Sequence, residues 1–190
     1  MGLPPTSDDR RAWLVRGRDR RHQACQGAWA YDIAWFEEPV SPDDHAGQAE
    51  VRRSTTIPIA SGEREFTRFD FQDLLERRAL DIAQPDVARA GGMTEIRRIA
   101  ALTSAHGVRL APHAWGSGVL FAASIHVAMA APNCLILEVT QGYMPMMWDL
   151  FNEPFDKPSD GMVDAPGRAG LGFRLRADAG ALPVCRRARV

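Results

Sequence analysis

The sequence predicts an α/β fold of parallel strands joined by helices, and three observations carry that prediction. Apolar runs of four to six residues each stop at an acidic or imidazole side chain. Each run then gives way to a stretch with helical periodicity. The strand-terminal residues Glu37, Glu63, Asp86, His113 and Glu138 lie 26, 23, 27 and 25 positions apart, one strand–helix unit each time. Successive units of this length imply right-handed crossovers between parallel strands. All five side chains are therefore expected at the C-terminal edge of one sheet, where barrels and doubly wound sheets alike place their active sites.

Residues 1–30 precede this pattern and do not share it. Arg10, Arg11, Arg16, Arg18, Arg20 and Arg21 crowd together without a sustained apolar period, so the segment reads as a solvated arm. A basic arm for nucleic acid is the less favoured alternative. From Tyr31 the pattern is regular. Asp32 to Phe36 reads as a buried strand that ends in Glu37-Glu38-Pro39, continuous in its apolar character because both faces of a parallel sheet are covered. Pro42-Asp43-Asp44 opens a helix through about Ser54, with the aspartates suited to capping. Ile57 to Ala60 forms the second strand, with Pro58 near its start. Thr67 to about Arg78 is helical on the spacing of Phe71, Leu74 and Leu75, and Leu80 to Ala83 is the third strand.

Gly91-Gly92 leads into a helix from Met93 to about Ala105, which Gly107 stops. Val108 to Ala111 is the fourth strand, Gly118 to Ala130 a small-residue helix, and Leu135 to Leu137 the fifth strand. Residues 141–190 then form a helix and loop tail, with methionines at 144, 146 and 147 as packing residues and a short strand near Phe173.

Composition narrows the function. A net charge of −1 argues against a dedicated nucleic-acid or anionic-membrane surface. No apolar run approaches the roughly 20 residues of a membrane span. Cys25, Cys134 and Cys185 show neither metal-ligand nor disulfide spacing, which points to a reducing cytoplasm. Gly116-Ser117-Gly118 begins like a dinucleotide fingerprint, but Phe121 stands in the place of the third glycine.

The strand-end residues suggest specific chemistry. Glu37 and Glu63 on neighbouring strands are a pair of hard oxygen ligands suited to Mg²⁺. Glu38 is expected on the opposite side of its strand, because side chains alternate. His113 beside Asp86 makes a carboxylate–imidazole dyad of the kind a general base uses, since the carboxylate fixes the tautomer and raises the pKa. Glu138, if neighbouring carboxylates hold it protonated, can donate a hydrogen bond to developing negative charge.

Phe36-Glu37-Glu38-Pro39, Ala60-Ser61-Gly62-Glu63, Gln84-Pro85-Asp86 with Gly91-Gly92-Met93-Thr94, Pro112-His113 and Leu137-Glu138 together resemble the C-terminal barrel of the enolase superfamily, in its mandelate racemase/muconate lactonizing group. The resemblance spans about Tyr31 to Leu175. It implies the C-terminal part, about five βα units over 31–140, of a TIM-like (β/α)7–8 barrel, a fold that usually takes about 250 residues when complete. It also implies Glu37 and Glu63 as Mg²⁺ ligands, His113 as base with Asp86 as its partner, and Glu138 as electrophilic acid. Enolase-superfamily sites use a Lys or His base with Mg²⁺ to stabilise an ene-diolate.

A His–Asp dyad is similar to the mandelate racemase subgroup, which implies an acid-sugar dehydratase acting on a small carboxylate, with racemase or lactone cycloisomerase as alternatives. A homo-oligomer is implied for the full-length form. The family's capping domain, first two strands and Lys-x-Lys motif are absent, and Arg11 stands where the first metal ligand is expected. Residues 8–13 resemble the family's Asp-x-Asn-x-Ala-Trp run out of step, so residues 1–30 are expected to derive from a shifted reading frame or misplaced start. The isolated chain is expected to bind Mg²⁺ weakly and to be inactive or poorly soluble, because a five-strand arc leaves two unpaired edges. A catalytically dead remnant serving as a binding or assembly module is the reading from a different class.

Overall fold

The computed structural model describes residues 33–140, 142–153 and 161–179. Within them, β1 (Phe36–Glu37), β2 (Ile59–Ser61), β3 (Ile82–Ala83) and β4 (Arg109–Leu110) form one sheet in the order β1-β2-β3-β4. Every pairing is parallel, with Phe36 opposite Ile59, Ala60 opposite Ile82 and Ala83 opposite Leu110. Strand order thus equals chain order, as expected of consecutive βα units.

The crossovers are α1 (His45–Arg53), α2 (Thr67–Glu76), α3 (Gly92–Ala105) and α4 (Gly118–Ala130), and a short α5 (Pro145–Trp148) follows. Asp44 caps α1 by accepting from the Gly47 backbone N–H at 2.8 Å, and Ser117 caps α4 by accepting from Leu120 at 3.3 Å. Gly91 and Gly92 take positive φ values of 109° and 84° at the entry to α3, a conformation an L side chain resists.

The main core lies between the helices and the sheet, where Phe71, Leu74, Ile96, Ile99 and Leu110 are fully buried. Helix α4 is buried along most of its length because it serves two cores. Leu120, Ala123 and Val127 enter the first, while Phe121, Ala122 and Ile125 meet Met147, Leu150 and Phe151 from the tail. No helix among the described residues is long and apolar enough to cross a membrane.

Three expectations change in detail. Asp32 lies outside the described residues, and the first strand begins at Phe36 with Ile33 and Ala34 exposed. Among the described residues β1 is an outer strand with β2 as its partner, so of the apolar run before it only Trp35 is held against the core, by Ala60, Ile82 and Ala111. The fifth strand is reduced to a single parallel bridge between Leu110 and Cys134, with Leu135 donating to Leu110 at 2.7 Å and Glu138 to Pro112 at 3.3 Å. Leu135 and Ile136 are about half exposed, so this segment follows β4 without a further neighbour to hold it flat. The strand near Phe173 is likewise one antiparallel bridge, Phe151 to Leu175. Of the three methionines, Met147 is buried and Met146 exposed.

Gly62 joins this core to the site. Its φ is 132°, and a Cβ there would lie 2.7 Å from the Phe71 ring and 3.2 Å from the Gln84 backbone nitrogen. Gly62→Ala is expected to cost about 2–4 kcal/mol, because backbone strain adds to a clash with a fully buried ring. Urea denaturation checks this, and a loss below about 0.5 kcal/mol would show that the turn tolerates a side chain.

Candidate active site

The C-terminal strand ends gather the five residues singled out by the sequence. Glu37 closes β1, and its Oε2 accepts from Gln84 Nε2 at 2.8 Å and from Trp35 Nε1 at 3.3 Å. Glu63 sits two residues beyond β2, in a turn closed by Glu65 donating to the Gly62 carbonyl at 3.2 Å. Asp86 and His113 follow β3 and β4, and a parallel bridge between them extends the sheet past its named strands. Glu138 stands next in line, its backbone tied to Pro112.

His113 is held at both nitrogens. Nδ1 lies 2.8 Å from Asp86 Oδ2, and Nε2 lies 3.3 Å from Glu63 Oε2. The other Asp86 oxygen accepts from the backbone N–H groups of Ala88 and Arg89, so the carboxylate cannot swing away from the ring. Burial pulls the His113 pKa down, but the Asp86 hydrogen bond and the charges of Glu138 and Glu63 outweigh it and leave the pKa raised. Burial also disfavours the Asp86 charge, yet its hydrogen bonds to His113, Arg89 and Ala88 hold its pKa below the usual carboxylate range. The pair is thus an ionised aspartate orienting an imidazole whose far nitrogen faces the acidic cluster. That arrangement can accept a proton and return it.

Glu138 is pushed up to about 7, first by burial and then by Glu37 and Glu63, against the opposing effects of His113 and the Ala114 N–H. Its Oε2 is buried with no hydrogen-bond partner. The sequence reading credited neighbouring carboxylates with this protonation; in the structure desolvation comes first.

Glu38 departs from the expected alternation. With φ at 38° it has left the strand, so its side chain does not cross to the far face. Its Oε2 lies 3.4 Å from Arg64 Nε, which also donates to Glu63 Oε1 at 3.3 Å. Burial, then the charge of Glu63, raises the Glu38 pKa to about 7, with Arg64 opposing them. Gln84 and Arg64 were not among the sequence candidates. Gln84 stands in the Gln84-Pro85-Asp86 run that marked the third strand's end, and its full burial beside Glu37 gives it a positioning role no period could reveal.

Whether these residues suit a divalent cation can be judged from their charge. No three His, Cys, Asp or Glu side chains converge on one point among the described residues. Glu37 and Glu63 nevertheless present hard oxygens on adjacent strand ends, and their charges disfavour ionisation of Glu38 and Glu138. A cation bound to the pair would relieve that repulsion, so the donor set fits Mg²⁺ with two ligands from this segment.

A parallel arc of βα units that turns its titratable groups to one C-terminal edge is shared by doubly wound sheets and TIM-type barrels. The chain belongs to the enolase C-terminal domain-like family, whose model matches residues 8–179, and the family assigns the arc to the barrel. It is 41% identical over 149 residues to a D-xylonate dehydratase of Haloferax volcanii, covering 78% of this chain and 36% of that enzyme. It is 37% identical over 160 residues to a D-galactarolactone cycloisomerase of Agrobacterium fabrum, covering 80% of this chain and 42% of that enzyme. The crystal structure of a mandelate racemase/muconate lactonizing enzyme from Sulfitobacter sp superposes with a TM-score of 0.83 at 33% identity, covering 92% of this chain and 44% of that one. The chain therefore spans less than half the length of these relatives.

Proposed function

We propose that this chain carries the enolising edge of an Mg²⁺-dependent acid-sugar dehydratase of the mandelate racemase subgroup. The observation that carries this reading is His113 fixed at Nδ1 by Asp86, with Nε2 turned toward Glu63. Glu37 and Glu63 would hold the cation, which when bound would draw charge from the substrate carboxylate and acidify the adjacent C–H. His113 Nε2 takes the proton α to that carboxylate, while Asp86 stabilises the imidazolium that results. Glu138, whose burial favours the protonated form, donates a hydrogen bond to the developing enolate oxygen. The enolate electrons then form the Cα–Cβ double bond as the β-hydroxyl departs as water with the proton returned by the His113 imidazolium, which completes a dehydration to an enol. The likeness to a cycloisomerase favours a second outcome, in which the same proton abstraction precedes lactone opening. Both begin with the same half-reaction.

The sequence alone leads to the expectation of an inactive chain, but the dyad is assembled within this segment, so proton exchange is now expected to be slow but measurable. Incubation with Mg²⁺ and a panel of aldonates and aldarates in D₂O should place deuterium at the α-carbon of at least one, as read by NMR. Absence of Mg²⁺-dependent exchange from every acid would refute an enolising role for this chain.

A further inference from the structure

The acidic cluster already contains a cation of its own. Arg64 Nε lies 3.3 Å from Glu63 Oε1 and 3.4 Å from Glu38 Oε2, with its side chain half exposed at the mouth of the site. The Glu38 side chain is nine-tenths buried, and its Oε1 has no hydrogen-bond partner. His113, the other basic group in contact with Glu63, reaches the opposite oxygen, Oε2. Both oxygens of Glu63 are therefore engaged by basic side chains. Resting on the Mg²⁺ reading above, we propose that Arg64 is the resident counter-cation of this site and that a divalent metal engages Glu63 only by displacing its guanidinium.

The physical case is competitive. A guanidinium and a metal ion require the same lone pairs, and an arginine beside the site also repels an incoming dication. Held on a half-exposed side chain, the guanidinium can leave for water, so its competition weakens metal binding without abolishing it. Glu38 Oε2, 3.4 Å from the same guanidinium, gives it a second anchor, so displacement exchanges two contacts for one metal bond. Arg64 therefore sets how tightly metal binds, although it is not itself a ligand. It also keeps the carboxylates of β1 and β2 tolerable to the fold when no metal is present.

The test is titration of the whole 190-residue chain with Mg²⁺ by calorimetry and with Mn²⁺ by electron paramagnetic resonance. Arg64→Gln is expected to tighten metal binding about tenfold, and Arg64→Lys to stay within about threefold of the unsubstituted chain, because only the first removes the competing charge. A second measurement needs no variant: Mg²⁺ should accelerate solvent exchange of the Arg64 Nε–H in NMR spectra of the unsubstituted chain. Metal binding that is equal or weaker in Arg64→Gln, or an Nε–H that Mg²⁺ leaves untouched, overturns the proposal while leaving the metal reading intact. Failure of every form of the chain to bind Mg²⁺ or Mn²⁺ overturns both.

Discussion

His113→Asn is expected to lower α-proton exchange by about 10²- to 10⁴-fold, the usual contribution of a positioned general base. Asparagine can still meet Asp86 from the place of Nδ1, so packing around the dyad survives. It has nothing in the place of Nε2. Asp86→Asn should fall in between, because the base remains but its tautomer and orientation are no longer fixed by an ionised partner. The two variants together therefore separate a base from a group that positions it. The readout is deuterium incorporation by NMR, alongside urea midpoints to confirm folding. Exchange that survives His113→Asn undiminished would place the base elsewhere.

The second large effect concerns pH, and its sign runs against habit. A carboxyl whose folded pKa is raised loses stabilising free energy as pH climbs from its unfolded value to its folded one. Glu38 and Glu138 both move from 4.5 to about 7. His113 and His45 have raised values too, so their contributions are full below the unfolded value of 6.5 and decline as pH passes the folded one. For His45, burial alone would lower the pKa, and its bond to Asp73 at 2.6 Å with the charge of Glu65 reverses that. The carboxyls with lowered values, Asp73, Asp86, Glu95, Glu153 and Asp178, act only in acid, losing their contribution as pH falls below about 4. Metal-free protein is therefore expected to be most stable near pH 5 and to weaken toward pH 8. Solvent screening holds the loss from Glu38 and Glu138 to about 3 kcal/mol together. Urea midpoints at pH 5, 6.5 and 8 measure it directly. Stability that is flat or rises over that range would mean the two carboxyls are ionised in the folded chain.

The site was legible in the sequence to the extent that spacing controls it. Glu37, Glu63, Asp86, His113 and Glu138 each follow an apolar run by one strand–helix unit, and that period alone fixes which edge they share. What spacing does not encode is the backbone after the strand has ended. Glu38 shows this most plainly: alternation sends it to the far face, but a left-handed φ of 38° brings it to Arg64 instead. Gln84 was hidden for a related reason. A buried amide is chosen by the atoms it must satisfy, here Glu37 Oε2, and its partner lies 47 residues away. Helices were read to within two residues because capping and periodicity are local. Leu135 to Leu137 has strand composition, but a strand also needs neighbours, and the described residues offer it only β4. Residues 1–30 lie outside the described residues.

The agreement of strand order with chain order bears on how such a chain assembles. Each paired strand finds its neighbour only 22 to 27 residues further along. Loop-closure entropy grows slowly with length, so every step meets nearly the same modest barrier. A closed barrel must add one contact of a different kind, between its first strand and its last, across the whole sequence. Among the described strands every pairing is of the short-range kind, so each of these βα units can dock on the one before it as the chain emerges from the ribosome.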